Sequence, residues 1–158
     1  MATKPESGEK LIAANKKAYH DYFVLQKFEA GLVLTGTEVK SLRDGKANLK
    51  DAYVIFKDGE SYLFGLHISP YSHGNLMNHE PDRTRKLLLH KRELEKLRGQ
   101  IVEKGLSVVP LRLYFKGSRV KAEIAIVRGK KQYDKRETEK NREADRETRA
   151  AIKSNIQR

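Results

Sequence analysis

Hydrophobic and polar positions change their rhythm along this chain. From Tyr19 to Leu34 aromatic and β-branched residues crowd together, Tyr22, Val24 and Phe28 on one parity and Phe23 and Leu25 on the other. That pattern predicts a strand buried on both faces for part of its length. Thr37 stands where it can cap a short helix over Glu38 to Asp44, with Glu38 at its positive end, Arg43 near its negative end and Gly45 just beyond. Tyr53 and Ile55, then Tyr62 and Phe64, flank Asp58-Gly59, so Ala52 to Leu66 reads as a β-hairpin. His67 to Arg85 holds Pro70, Gly74 and Pro81 without any period and reads as a long loop, of a length that in small domains often carries function.

Leu94, Leu97 and Ile101 recur at helical spacing within Lys91 to Lys104, and Gly105 follows. This predicts an amphipathic helix lying on the core, its outer face strongly basic. Leu106 to Phe115 and Arg119 to Val127 are two more strands joined at Lys116-Gly117-Ser118, the second alternating Val120, Ala122, Ile124 and Ile126 with Lys121 and Glu123. Several short antiparallel strands with few helices predict a mostly β fold: a small antiparallel barrel of the oligonucleotide-binding type with flanking helices, closure removing exposed edges.

The ends differ from this middle. Residues 1–10 contain Pro5, Ser7 and Gly8 and little that is apolar, which predicts a disordered leader. The barrel domain is expected over 11–128. Within 129–158 the composition becomes charged and offers too little apolar surface to offset the entropy of ordering. Yet after Gly129 the segment has no Gly or Pro, and Arg142, Arg146, Arg149 and Lys153 would share one face of a helix. Glu139 with Arg142, Glu143 with Arg146 and Asp145 with Arg149 are spaced for helical ion pairs of about 0.2–0.5 kcal/mol each. The tail is expected to turn helical against an anionic surface.

Charge sharpens this picture. Among 158 residues, 33 Lys and Arg face 21 Asp and Glu, a formal net charge of +12. Such a field favours a polyanion, through faster encounter and counterion release; by itself it also fits a membrane surface. There is no cysteine, which removes disulfides and thiolate metal sites. With no signal-like leader and no apolar run of spanning length, a cytoplasmic protein is expected.

Catalytic chemistry finds little support. His20, His67, His73, His79 and His90 match no compact metal pattern; His73 and His79 are close in sequence but lack a third ligand at a recognisable offset. Gly129-Lys130-Lys131 lacks the preceding glycine and following Ser or Thr of a phosphate-cradling loop, so its lysines are expected to act as point charges. Ser118 has no Gly-x-Ser-x-Gly elbow around it. No catalytic residue, metal or cofactor is assigned.

Ordered blocks then narrow the choice. Asn15-Lys16-Lys17-Ala18-Tyr19-His20-Asp21-Tyr22, Phe28-Glu29-Ala30-Gly31 and Gly36-Thr37-Glu38-Val39-Lys40-Ser41-Leu42-Arg43 are followed by His67-Ile68-Ser69-Pro70-Tyr71 and Gly74-Asn75. Then come Arg83-Thr84-Arg85-Lys86-Leu87-Leu88-Leu89-His90, Val109-Pro110-Leu111 and Gly129-Lys130-Lys131-Gln132-Tyr133-Asp134-Lys135-Arg136. In this order they resemble the SmpB family, the SsrA-binding proteins, from about Ile12 into the tail. Ala52, where that family would place Ser, is a departure that touches no proposed site.

The resemblance implies an RNA-binding protein that catalyses nothing. It would hold the tRNA-like part of transfer-messenger RNA, one protein copy per RNA, and deliver it to stalled ribosomes in trans-translation, its tail entering the decoding centre and empty mRNA channel as a helix. RNA contact would fall to Asn15, Lys16, Lys17, His20, Glu29, Lys86, Leu89 and Lys121. The lysines would neutralise phosphates, while Asn15 and His20 would reach base edges or sugar hydroxyls. Glu29 would accept from a base or orient a lysine, the alternative being an ordinary exposed carboxylate; Leu89 is open between packing on a base and a core position. On small-subunit ribosomal RNA, Gly129, Lys130, Lys131, Lys135 and Arg136 would lead, with Tyr133 stacking, Asp134 capping, and Arg142, Arg146, Arg149 and Lys153 as the helical face. A structural ribosomal protein or another basic RNA chaperone, and a small ribonuclease, are the competing readings.

Overall fold

A computed structural model describes residues 8–73, 78–131, 135–137, 139–144 and 146–147. The strands are β1 (Glu9–Ala14), β2 (Tyr22–Leu32), β3 (Ala47–Asn48), β4 (Tyr53–Lys57), β5 (Glu60–Phe64), β6 (His67–Ile68), β7 (Arg85–Leu88), β8 (Ser107–Lys116) and β9 (Arg119–Gly129). The helices are α1 (Lys16–Asp21), α2 (Gly36–Arg43) and α3 (Lys91–Lys104). Seven strands pair antiparallel in the order β1-β8-β9-β2-β7-β5-β4, and β3 pairs with β6 as a small separate sheet.

The mostly β architecture with flanking helices is as expected, but the barrel is curled rather than closed. β4 comes against β8, yet among the described residues no ladder joins them. Helix α1 occupies that seam: Lys17, Ala18 and Asp21 line a crevice with Ala52, Tyr53 and Val109. Curling is helped by bulges between Leu11 and Ala13, Val24 and Gln26, and Pro110 and Arg112, each of which bends its strand. The last also accommodates Pro110, which has no N–H for a ladder. It switches the facing of β8, so that Val109 and Leu111 join Ala18, Ala125 and Val127 beneath α1, whereas Val108, Leu113 and Phe115 enter the main core with Leu63, Leu87, Leu97 and Ile124.

Local chemistry explains most boundaries. At the β4–β5 turn Asp58 and Gly59 both have positive φ, 53° and 76°, and Lys57 pairs with Glu60. This is the geometry that a two-residue hairpin needs. Gly105 ends α3 in the left-handed region at φ 62°. Tyr19 is not in the strand that its aromatic neighbours predicted, because the Asn15 side chain accepts from Ala18 N at 3.2 Å and starts a helix there. Structure begins before Leu11, with Glu9 and Lys10 already paired in β1. The expected loop over His67 to Arg85 is interrupted by β6 and ends in β7; its residues 74–77 lie outside the described residues.

One buried ionic cluster ties these parts together. Thr35, rather than Thr37, precedes α2, and its backbone N–H donates to Glu38 Oε1 at 2.8 Å. Glu38 is fully buried and also accepts from Arg83 Nη2 and Arg85 Nε, both at 2.5 Å. Arg85 is itself wholly buried; its other nitrogens donate to the carbonyls of Leu66 and Pro81. Burial opposes the Glu38 charge, but the bonds from Arg83, Thr35 and Arg85 outweigh it and hold the carboxyl below its ordinary range. Glu38→Ala should therefore cost about 3–5 kcal/mol in urea unfolding, since it strands a buried guanidinium. Adding Arg85→Met should restore part of that loss.

Candidate nucleic-acid interface

The residues that the sequence grouped as one RNA surface divide by role in the fold. Asn15 is 6% exposed. Its Nδ2 donates to Pro110 O at 2.9 Å and its Oδ1 caps α1, so this side chain fastens the helix to β8 and has no face left for a base. Lys16 is exposed at the start of α1. Lys17 pairs with Asp51 at 2.6 Å.

On the strands, period-2 alternation decides what solvent meets. Arg85 and Leu87 point into the core, so Lys86 and Leu88 point out. Lys86 is 40% exposed and 3.7 Å from Glu60; Leu88 is 53% exposed. Leu89, open in the sequence between a base contact and a core position, is partly buried and packs on the main core. Leu88 lies opposite Gly31 of β2, which in turn lies opposite Lys121 of β9. A Cβ on Gly31 would come within 3.2 Å of Leu88 Cβ, so the bare glycine makes room for the leucine. Gly31, Leu34, Val39, Leu88, Arg119 and Lys121 line a groove of about 350 Å³. The groove has an apolar floor and a cationic rim.

Glu29 is the acidic exception. It accepts from the buried Tyr114 hydroxyl, and Lys116 Nζ lies 3.5 Å from both of its oxygens. Those partners, Tyr114 first, hold its carboxyl below the ordinary range, while burial and the bond to Glu29 push the Tyr114 phenol up.

The tail follows β9 directly. Gly129 closes the ladder opposite Tyr22. Lys130 N donates to Asp21 O at 2.8 Å and its Nζ to Tyr19 O at 3.1 Å. Arg128 and Lys130 both stand over the Phe23 ring, 5.1 Å from its centroid. Lys131 and Arg136 are exposed, and residues 135–137, 139–144 and 146–147 are helical, with Arg142 and Arg146 exposed. Tyr133, Asp134, Arg149 and Lys153 lie outside the described residues. Lys135 reaches Asp21 at 3.6 Å and Glu139 reaches His20 Nε2 at 2.6 Å. The described tail residues are thus helical from Lys135, with Lys135 and Glu139 reaching α1.

The sequence reading missed Leu88, Gly31, Arg119 and the tail contact with α1. The groove's signal was present in Arg85-Lys86-Leu87-Leu88, where a buried arginine and an exposed leucine invert the usual preference. Of the histidines in the long loop, His79 is already engaged by Thr37 Oγ1 and Ile68 O, each at 2.9 Å. Among the described residues no three His, Cys, Asp or Glu gather as a cation site, and no helix is long and apolar enough to cross a membrane.

Fold and surface together define a class: a small antiparallel-sheet protein whose cationic rims and exposed apolar floor suit a nucleic acid. The SmpB family model, described as SmpB protein, matches residues 12–154. The SsrA-binding protein of Pelobacter propionicus is 60% identical over 147 residues, 93% of this chain and 97% of that protein. That of Geobacter sulfurreducens is 60% identical over 146 residues, 92% of this chain and 95% of its own length. A solved structure described as "tmRNA-SmpB: a journey to the center of the bacterial ribosome" superposes with a TM-score of 0.65 at 48% identity, over 76% of this chain and 85% of that one. The chain belongs to the SmpB family.

His20 offers a direct test of the docked tail. Hydrogen bonds to Asp21 and then to Glu139 raise its pKa above 6.5. A raised folded-state pKa means that the contact contributes fully below the unfolded value and is lost as pH rises through the folded one. The His20 ring protons should titrate above pH 6.5 by NMR, and Glu139→Gln should bring the midpoint back down.

Proposed function

We propose that this protein binds the tRNA-like part of transfer-messenger RNA and carries it to stalled ribosomes for trans-translation. One copy serves each RNA, it works in the cytoplasm, and it catalyses no reaction. The observation that carries this reading is the family match running unbroken through both sheet and tail, among relatives named for binding SsrA RNA. Lys16, Lys86 and Lys121 neutralise phosphates and fix register, while Leu88 takes the apolar contact first assigned to Leu89. Lys17 and His20 join them only by giving up Asp51 and Glu139. RNA on α1 therefore displaces the tail, and the freed helix carries Lys131, Lys135, Arg136, Arg142 and Arg146 toward ribosomal RNA.

Truncation after Lys131 keeps the β9 ladder and tests this division. Affinity for transfer-messenger RNA should stay within about threefold of the full chain, because only side chains outside the primary site are removed, while peptide tagging on stalled ribosomes is lost. Equal loss of both would place the tail in the primary RNA site. The two leucines should also separate: Leu88→Ala weakens RNA binding at unchanged melting temperature, whereas Leu89→Ala costs about 2 kcal/mol of stability and leaves intrinsic affinity alone.

A further inference from the structure

The tip of the β4–β5 hairpin and helix α3 enclose a groove of about 450 Å³, on residues that neither the RNA surface nor the tail uses. Its floor is apolar. Leu97 is wholly buried and Ile101 packs on the main core, as their helical spacing predicts, but Leu94 is only half-buried and lines the groove with Phe56. The rim sets Lys57, Lys91 and Arg98 against Asp58, Glu60 and Glu95, three charges of each sign. That balance is unusual in a chain where 33 Lys and Arg outnumber 21 Asp and Glu. A phosphate backbone laid here would meet carboxylates as often as cations, so the groove offers it no net attraction.

Gly99 is an independent sign. It lies inside α3, one turn beyond Glu95, where glycine is a poorer helix former than alanine. The fold itself does not ask for it: its φ is not left-handed, and among the described residues nothing lies within 4 Å of a Cβ added there. A bare stretch of helix backbone beside an apolar notch allows another backbone to come close, and a side chain would hold it off. We infer that this face docks a helical segment of a partner protein. The segment crosses α3 at Gly99, seats an apolar side chain between Phe56 and Leu94, and carries charges of both signs that answer Lys91 and Arg98 on the helix and Asp58 on the hairpin. A second copy of this chain fits less well. The exposed positions of α3 include Lys91, Arg92, Lys96 and Arg98, and a two-fold contact would set these cations against each other.

The test titrates the ¹⁵N-labelled full chain with a short alanine-based helical peptide bearing a central leucine flanked by a lysine and a glutamate. The Phe56, Leu94 and Gly99 amide signals should shift together and saturate. Replacing the peptide's leucine by serine, or making both flanks lysine or both glutamate, should weaken binding about fivefold or more. Gly99→Ala should raise the melting temperature by about 3 °C. The same variant should bind transfer-messenger RNA as wild type does and the peptide about tenfold more weakly, since its methyl blocks the close approach. Arg98→Glu should move the preference toward the all-lysine peptide. Amides that do not shift, indifference to the leucine, or a Gly99→Ala chain that binds the peptide as tightly as wild type would each overturn the inference. So would a Gly99→Ala chain that melts below wild type, because the fold would then need the glycine. An RNA duplex that shifts the same amides at lower concentration than the peptide, or shifts that appear when the protein alone is concentrated, would replace the partner protein by RNA or by a second copy.

Discussion

The buried Glu38–Arg85 pair is the constraint on which the rest of the surface depends. Two charges without solvent are tolerated only because their remaining hydrogen-bonding capacity is met, by Thr35 N–H and Arg83 for the acid and by the Leu66 and Pro81 carbonyls for the base. Those partners come from α2, from the segment after β5 and from the loop before β7, so no one of these pieces can shift alone. With Arg85 committed inward, strand alternation leaves Lys86 and Leu88 no choice of face. The groove that Leu88 lines is thus set by an interaction buried beneath it.

This also explains what could be read beforehand. Elements with a strong period or a turn signature, such as α3, β8, β9 and the Asp58-Gly59 hairpin, were legible because local chemistry and tertiary packing agree there. β7 was not, since its inward arginine and outward leucine contradict the burial rule that defines a strand on paper. The same inversion leaves Leu88, rather than Leu89, as the exposed leucine of this segment. Asn15 was ambiguous for a related reason: one asparagine can cap a helix, pin it to a carbonyl or read a base, and the distances to Ala18 and Pro110 show it doing the first two. Open closure of the barrel could not be foreseen either, because the seam that α1 fills is a long-range arrangement with no local signal.

Composition and spacing predicted a tail that turns helical against an anionic surface. Its described residues are helical and reach α1 of the same chain. A short charged helix gains little from its own ion pairs; here Lys135 and Glu139 find Asp21 and His20 on α1 instead. These contacts are partly exposed and individually weak. Exposed ion pairs of this kind are ones a polyanion can outcompete, since cations that neutralise its phosphates release the counterions condensed on it.

Charge alone would make this surface adhesive rather than selective. Lysines such as Lys16, Lys86 and Lys121 attract every phosphate backbone alike, so a lysine contact by itself carries no sequence information. Selectivity has to come from groups that a backbone does not reward, and the sheet presents two: an exposed leucine on a glycine floor, and a carboxylate among cations. Leu88 gains nothing from a bare phosphate, and Glu29 repels one. Each is a cost against every wrong ligand. In a chain with a formal net charge of +12, such penalties can be carried because the surrounding cations already make up the binding energy.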